Sequence, residues 1–313
     1  MRGKLTIGSR GSKLAVLQAR MVEAALLSAC PDIEVTFKTI TTTGDRDRSV
    51  SLDEVGGQGI FVKELERALA TGRIDLAVHS LKDVPTELGA GLKLAAVLPR
   101  EDPRDVLVSA TGLNLAELPP RSRLGTDSRR RAAQLKAVRP DVAPCPLRGN
   151  IDTRLRKVRS GEMEGAILAA AALLRLGYAD RIAEYLPLGS FLPAVGQAAI
   201  AVEVRAGDRA SEFAASSIND ERTMQAVMAE RAFMRTLGGG CRAPIAALGS
   251  VVDGRLVIEG MVASADYSRV IRDRAEGPAV DAEAVGRGLA LAILERGGRG
   301  ITEKPERADV KKR

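Results

Sequence analysis

One histidine, no tryptophan and an aromatic content of 3% are the conspicuous shortages of this 313-residue chain. With His79 as its single imidazole, the chain has little room for histidine-based triads or histidine-rich metal sites. So few rings also leave a base-stacking platform for single-stranded nucleic acid poorly furnished. The three cysteines, Cys30, Cys145 and Cys241, are odd in number and lack metal-ligand spacing, which argues against a disulfide framework and against zinc. The first residues lack the apolar stretch of a signal peptide, and no later run is long enough to span a bilayer. The expectation is a cytoplasmic chain with no membrane partner and no bound metal.

What is present is cationic and unevenly placed. The net charge is +7, and from Arg121 to Arg159 twelve Lys/Arg stand against three acids, most of the twelve being Arg. A guanidinium fork matches the two oxygens of a carboxylate or phosphate, so the run reads either as an anion-gripping wall or as a solvated basic face. The length and a hydrophobic content of 45% allow two or three globular domains.

Hydrophobic periodicity gives alternating strands and helices. Leu5–Ser9 reads as a strand, followed by a helix capped by Ser12 with Leu14, Leu17, Met21 and Ala25 on one face. Val35–Ile40, Ile74–Val78 and Leu92–Val97 read as strands, and Phe61, Leu65 and Leu69 as a helix stripe. The charged, glycine-rich Gly44–Gly59 segment reads as a mobile loop or lid. The pattern restarts with strands at Asp105–Ser109, Gly165–Leu168 and Ala198–Val204, and with helices after Gly125-Thr126 and Asn150. Asn219 is the expected cap of a further helix ending at the glycine run. Strands at Ile245–Val251, Leu256–Ala263 and Arg269–Arg272, and a helix over Ala282–Arg296, complete a small α+β unit.

Four motifs carry chemistry. Gly238-Gly239-Gly240-Cys241 sets one thiol on a pliant backbone, suited either to a tether or to burial as a small hydrophobe. His79-Ser80-Leu81-Lys82-Asp83-Val84-Pro85 places an ammonium and a carboxylate side by side at a strand end. Gly125-Thr126-Asp127-Ser128-Arg129-Arg130-Arg131 offers N–H groups, a hydroxyl and guanidiniums at a helix start, and Leu147-Arg148-Gly149-Asn150 with Arg154 offers a second cationic start.

In this order, and together with Ser9–Ala15, Gly59–Glu64, Arg100–Asp105 and Leu192–Gln197, these segments closely resemble the porphobilinogen deaminase (hydroxymethylbilane synthase) family from about Leu5 to about residue 300. The resemblance implies an α/β fold: two doubly wound mixed-sheet domains resembling periplasmic binding proteins, plus a small α+β C-terminal domain. The expected divisions are residues 1–98 with 199–217, 103–193 and 221–303, with a disordered tail over 304–313. It also implies a monomeric transferase. Such an enzyme joins four porphobilinogen molecules head to tail, releasing ammonia at each step, on a covalent dipyrromethane primer. It then frees the linear tetrapyrrole by hydrolysis, and the next pathway enzyme is a candidate partner for that product.

By matched position the resemblance places the thioether to dipyrromethane on Cys241 and catalysis on Asp83. Loss of ammonia leaves an electron-poor azafulvene, and a carboxylate against the pyrrole N–H stabilises the charge that develops. Lys82, Asp83, Ser128, Arg130, Arg131 and Arg154 are assigned to the cofactor, and Arg10, Ser12, Arg148 and Arg175 to incoming substrate or chain. His79 is expected to be structural. The sequence departs from the family pattern at Asp127, Arg129, Gln58 and Gly238, and Asp127 with Arg129 is expected to form a compensating pair turned from the site. A non-catalytic polyanion-binding protein is the alternative, although it gives no use to Lys82-Asp83 or to the glycine-hinged thiol.

Overall fold

The computed structural model describes residues 3–41, 62–238 and 244–298. Cys241, Gln58, Phe61, the expected lid over Gly44–Gly59 and the charged tail lie outside the described residues.

Two five-stranded sheets share one topology. Lobe one orders its strands β2 (Glu34–Thr39), β1 (Lys4–Ser9), β3 (Leu76–Ser80), β10 (Ile200–Arg205) and β4 (Leu92–Val97). The second sheet, in lobe two, runs β7 (Ala143–Cys145), β6 (Arg123–Gly125), β8 (Gly165–Ala169), β5 (Asp105–Ser109) and β9 (Glu184–Tyr185). In each, the first three strands are parallel, and a strand arriving from the other lobe runs antiparallel between the last two: β10 in lobe one and β5 in lobe two. The chain therefore crosses between lobes twice, once after β4 and once before β10. Each sheet is mixed, as expected from the α/β pattern.

Helix starts follow their caps. Ser12 Oγ accepts from Ala15 N (3.3 Å) to open α1 (Lys13–Ala29), which buries Gln18, Ala19, Val22 and Leu26 against the sheet. In α2 (Lys63–Ala70) the buried residues are Leu65, Ala68 and Leu69. Ser128 Oγ accepts from Arg131 N to open α3 (Arg129–Val138), and Asn150 Oδ1 from Thr153 N (2.9 Å) to open α4 (Ile151–Arg159). Two short helices, α5 (Ala170–Arg175) and α6 (Arg209–Ser216), lack a clear periodic stripe in the sequence.

The third unit stacks α7 (Glu221–Thr236) and α8 (Ala282–Ile293) on the antiparallel strands β11 (Ile245–Val252), β12 (Arg255–Ala263) and β13 (Val270–Pro278). Phe233, Ile258, Leu289 and Ile293 fill its core. A Cβ on Gly286 would stand 2.0 Å from Ala229 O, so the two helices meet backbone to backbone only because this residue is glycine.

Three sequence expectations need correction. Asp220, not Asn219, caps α7 by accepting from Thr223 N (2.8 Å), because Asn219 Oδ1 is committed to Val97 N (2.9 Å) in lobe one. β13 extends to Pro278; its polar residues suit a partly exposed edge strand, and pairing with β12 sets its length. The closing helix leaves α geometry at Leu294, where a wider turn leads to Gly297 at φ 96°.

Candidate functional site

Parallel strands end on one edge of each sheet, and α/β proteins bind ligands beyond such edges. In lobe one, β1 delivers Arg10 and Ser12, and β3 delivers the tight turn Leu81–Asp83. Leu81 is buried and anchors that turn: its N–H donates to Ala199 O (3.0 Å), while Val84 N donates back to Leu81 O (3.0 Å). Gly196, at φ +70°, lies so close that a Cβ would stand 2.8 Å from Leu81 Cγ. The turn leaves Asp83 exposed and Lys82 half-buried beside it. Asp83 is exposed, and its carboxylate makes no hydrogen bond or ion pair among the described residues. A carboxylate so placed is available to a ligand.

In lobe two, β6 delivers Ser128, Arg130 and Arg131, and the start of α4 follows Arg148 and precedes Arg154. At their centre is Asp105, fully buried at the start of β5. Its Oδ1 accepts from Arg131 Nε (3.0 Å), Arg131 Nη2 (2.7 Å) and Gln197 Nε2 (3.0 Å), and its Oδ2 from Arg130 Nη1 (2.6 Å). These guanidiniums hold the Asp105 carboxyl far below the usual carboxylate range, against the opposing effect of burial. Arg130 Nη1 also donates to Leu192 O (2.6 Å), and Arg131 Nη1 to Ile167 O (2.9 Å). Both arginines are buried, and protein acceptors take much of their donor capacity. One carboxylate shared by two guanidiniums leaves a net positive charge.

The two sheet edges act on each other. Burial pushes the Lys82 ammonium down to about 8; Asp83 and Asp105 oppose the shift, while Arg131 and Arg130 add to it. Arg154 is lowered by burial and by Arg131, with Asp127 and Asp83 opposing. Lys82 and Asp83 of lobe one therefore share one field with Arg130, Arg131 and Arg154 of lobe two. A folded pKa near 8 against 10.5 means that the unfolded chain binds more protons between those values. Wild-type stability should accordingly rise, relative to Lys82→Met, as pH climbs from 8 towards 10.5, with no such divergence below 8. Melting temperatures of both proteins across that window check this, and parallel curves would remove Lys82 from the cationic cluster.

The other expected site residues are placed as follows. Ser12 is engaged as a helix cap, and Arg10 is half-buried beside it. Next to them Lys13 Nζ donates to Tyr178 Oη (3.0 Å), which donates to Asp152 Oδ1 (2.6 Å), so a hydrogen-bonded bridge joins lobe one to lobe two. Arg175 Nη2 donates to Ala198 O (2.6 Å), while its buried Nε has no acceptor among the described residues. Arg154 Nε donates to Gly149 O (2.8 Å). Asp127 accepts from Leu147 N (3.1 Å) and lies 3.9 Å from Arg148 Nε, so its ion pair is with Arg148 and not with Arg129. His79 Nε2 lies 3.1 Å from Glu203 Oε2 in a buried pair between β3 and β10. Cys30 and Cys145 are free thiols.

Asp105 and Gln197 lie in the matched segments Arg100–Asp105 and Leu192–Gln197 but had no role assigned from sequence, and the joint around Glu230 on α7 was not anticipated. Glu230 is fully buried and accepts from Arg100 Nη1 (2.5 Å), Gly196 N (2.7 Å) and Gly249 N (2.8 Å). It thereby joins the third unit to both inter-lobe crossings. A buried acid or amide at a predicted strand start or turn was the available signal, but its partners lie 19 to 130 residues away in sequence.

A cavity of about 600 Å³ elsewhere on lobe two, lined by Val108, Leu155, Arg156, Arg159, Tyr178 and Arg181 among others, includes none of the expected site residues. No group of metal-ligating side chains occurs among the described residues, and no described helix is long and apolar enough to cross a membrane.

Fold and site together define a two-lobed α/β protein in which a cationic cluster spans both sheet edges beside a carboxylate, Asp83, that has no hydrogen bond or ion pair among the described residues. Residues 5–212 match the family model "Porphobilinogen deaminase, dipyromethane cofactor binding domain", and residues 224–295 match "Porphobilinogen deaminase, C-terminal domain". The chain belongs to the porphobilinogen deaminase family, a family of transferases. It is 47% identical to the porphobilinogen deaminase of Syntrophomonas wolfei over 297 residues, covering 95% of this chain and 97% of that protein. It is 49% identical to that of Moorella thermoacetica over 301 residues, covering 96% of each. A solved structure of the Bordetella pertussis BvgS VFT2 domain aligns with a TM-score of 0.41 and 14% identity, over 69% of this chain and 85% of that one.

The donor set suits dipyrromethane, the cofactor of the matched domain. Such a group carries several carboxylates, and the cluster of Lys82, Arg130, Arg131 and Arg154 holds an excess of guanidinium and ammonium over the carboxylates of Asp83 and Asp105.

Proposed function

We propose that the chain is a porphobilinogen deaminase that condenses four porphobilinogen molecules head to tail, releases ammonia at each step, and frees the linear tetrapyrrole by hydrolysis. The observation that carries this reading is the exposed Asp83 beside Lys82, without a hydrogen bond or ion pair among the described residues and in the same electrostatic field as Arg131 and Arg154 of the facing lobe. When bound, the dipyrromethane primer supplies the nucleophilic pyrrole carbon and, through a thioether, would be held by Cys241. Lys82, Ser128 and Arg154 bind its carboxylates, with Arg130 and Arg131 adding positive potential and their remaining N–H groups. Arg10, Ser12, Arg148 and Arg175 receive the carboxylates of incoming substrate.

Asp83 accepts a hydrogen bond from pyrrole N–H and stabilises positive charge as it spreads onto that nitrogen. It is also placed to move the proton that leaves the attacked carbon. In this reading the chain is a cytoplasmic monomer of three domains, 1–98 with 199–217, 103–193 and 221–303, and its product passes to the next enzyme of the pathway.

Intact mass after denaturation tests the tether. Wild type should carry the extra mass of two linked pyrrole units, or acquire it on incubation with porphobilinogen while releasing ammonia. Cys241→Ser should do neither. A wild-type chain that binds porphobilinogen without gaining mass or releasing ammonia would be an anion-binding protein instead.

A further inference from the structure

We infer that Arg231 is a positioning residue for the Lys82–Asp83 turn, holding it from the third domain; the inference rests on the reading of Asp83 as the catalytic carboxylate. Arg231 lies on α7, is 5% exposed, and makes no ion pair among the described residues. Its guanidinium instead donates to three successive carbonyls, Val84 O (3.3 Å), Pro85 O (2.6 Å) and Thr86 O (3.1 Å). A buried cation without a carboxylate is costly, and it persists where carbonyl dipoles converge on it. Burial is the main cause that lowers its pKa to about 10; Arg235 acts in the same direction, and Glu203 and Glu283 act against it.

Those carbonyls belong to the residues directly after Asp83. Val84–Thr86 lie outside every strand, and no other donor reaches the three oxygens among the described residues. The turn is fixed at its entry by Leu81 N donating to Ala199 O, within lobe one. At its exit the side-chain grip comes from Arg231. The preceding residue, Glu230, holds Arg100 and Gly196 in the two crossings. Consecutive residues of one helix therefore hold the catalytic turn and the inter-lobe joint, and in sequence that helix runs on towards Cys241. A displacement of the third domain would move the turn that presents Asp83 with it.

The test compares wild type, Arg231→Met and Arg231→Lys as full-length chains loaded with primer. It reads kcat and KM for porphobilinogen well below the unfolding temperature, together with amide exchange. Arg231→Met is expected to lower kcat roughly tenfold to hundredfold, the scale of a displaced catalytic group, with KM nearly unchanged. Arg231→Lys, which keeps donors to carbonyls, should recover part of the loss. Amide exchange should rise over residues 82–88 and stay unchanged in β11–β13. An unchanged kcat in Arg231→Met would overturn the inference. So would a fall in kcat accompanied by faster exchange throughout the third-domain sheet, which marks a general structural staple. If wild type itself releases no ammonia, the functional reading fails, while the exchange data still report whether Arg231 holds the turn.

Discussion

Replacing Asp83 with Asn is expected to leave the chain folded and to lower ammonia release from porphobilinogen by about 10²–10³-fold, the usual effect of removing one electrostatic stabiliser of a transition state. The expectation of intact folding has a local basis. Leu81 anchors the turn through its buried side chain and its N–H, whereas the Asp83 carboxylate is exposed and makes no hydrogen bond or ion pair within the described protein. Its removal therefore takes no internal contact away. What it removes is the negative charge facing Lys82 and Arg154, both of whose ionisation it supports. Asn keeps the size and one acceptor oxygen but cannot offset a developing cation. Steady-state rates and thermal melts of the two proteins decide the matter: a near-normal rate would take Asp83 out of the chemistry, and a collapsed melt would give it a structural role instead.

Asp105→Ala should have the opposite profile, with its main loss in stability. Two buried guanidiniums and the Gln197 amide share this carboxylate. Breaking a buried ion pair by deleting one partner costs about 3–5 kcal/mol, because the partner's charge stays behind without compensation. For lobe two this corresponds to a fall in melting temperature of roughly 10 °C or more. A shift of only a degree or two would mean that water or a bound anion replaces the carboxylate. The pH dependence has a definite sign. The Asp105 pKa is depressed from 3.8, so its contribution is fully present above that value and fades as pH falls below it towards the lower folded pKa. Wild type should consequently lose stability on acidification more steeply than Asp105→Ala.

Local signals in the sequence were readable where the chain satisfies its backbone close by. Ser12, Ser128 and Asn150 each accept from an N–H three residues ahead; Ser12 and Asn150 marked their helices in the sequence, while Ser128 stands inside the run from Gly125 to Arg131 that reads as a helix start. Asn219 failed by the same logic: an Asn and an Asp stand side by side, and only the distant N–H of Val97 determines which of them is free to cap. The site divides along the same line. Lys82-Asp83 at a strand end and the arginines at helix starts were legible as residue types in position. That Arg130 and Arg131 would bind to Asp105, and that Arg231 would grip the end of the Lys82–Asp83 turn, was not, because nothing local ties residues 25 or 147 positions apart.

The exchange of strands between lobes bears on how the chain is made. Lobe two is built from consecutive segments, β5 through β9, and can complete its sheet as soon as residue 185 has left the ribosome. Lobe one begins earlier and finishes later. Among the described strands β4 pairs only with β10, so from residue 97 until residue 205 is synthesised the sheet has a gap next to β3 and an unattached fourth strand. The order of synthesis and the order of completion are thus inverted. The lobe that holds the turn bearing Asp83 closes last, on a returning strand whose approach supplies Ala199 O to Leu81 and Gly196 to its flank. In a nascent chain the turn bearing Asp83 would take shape only after the arginine-rich wall opposite it already stands.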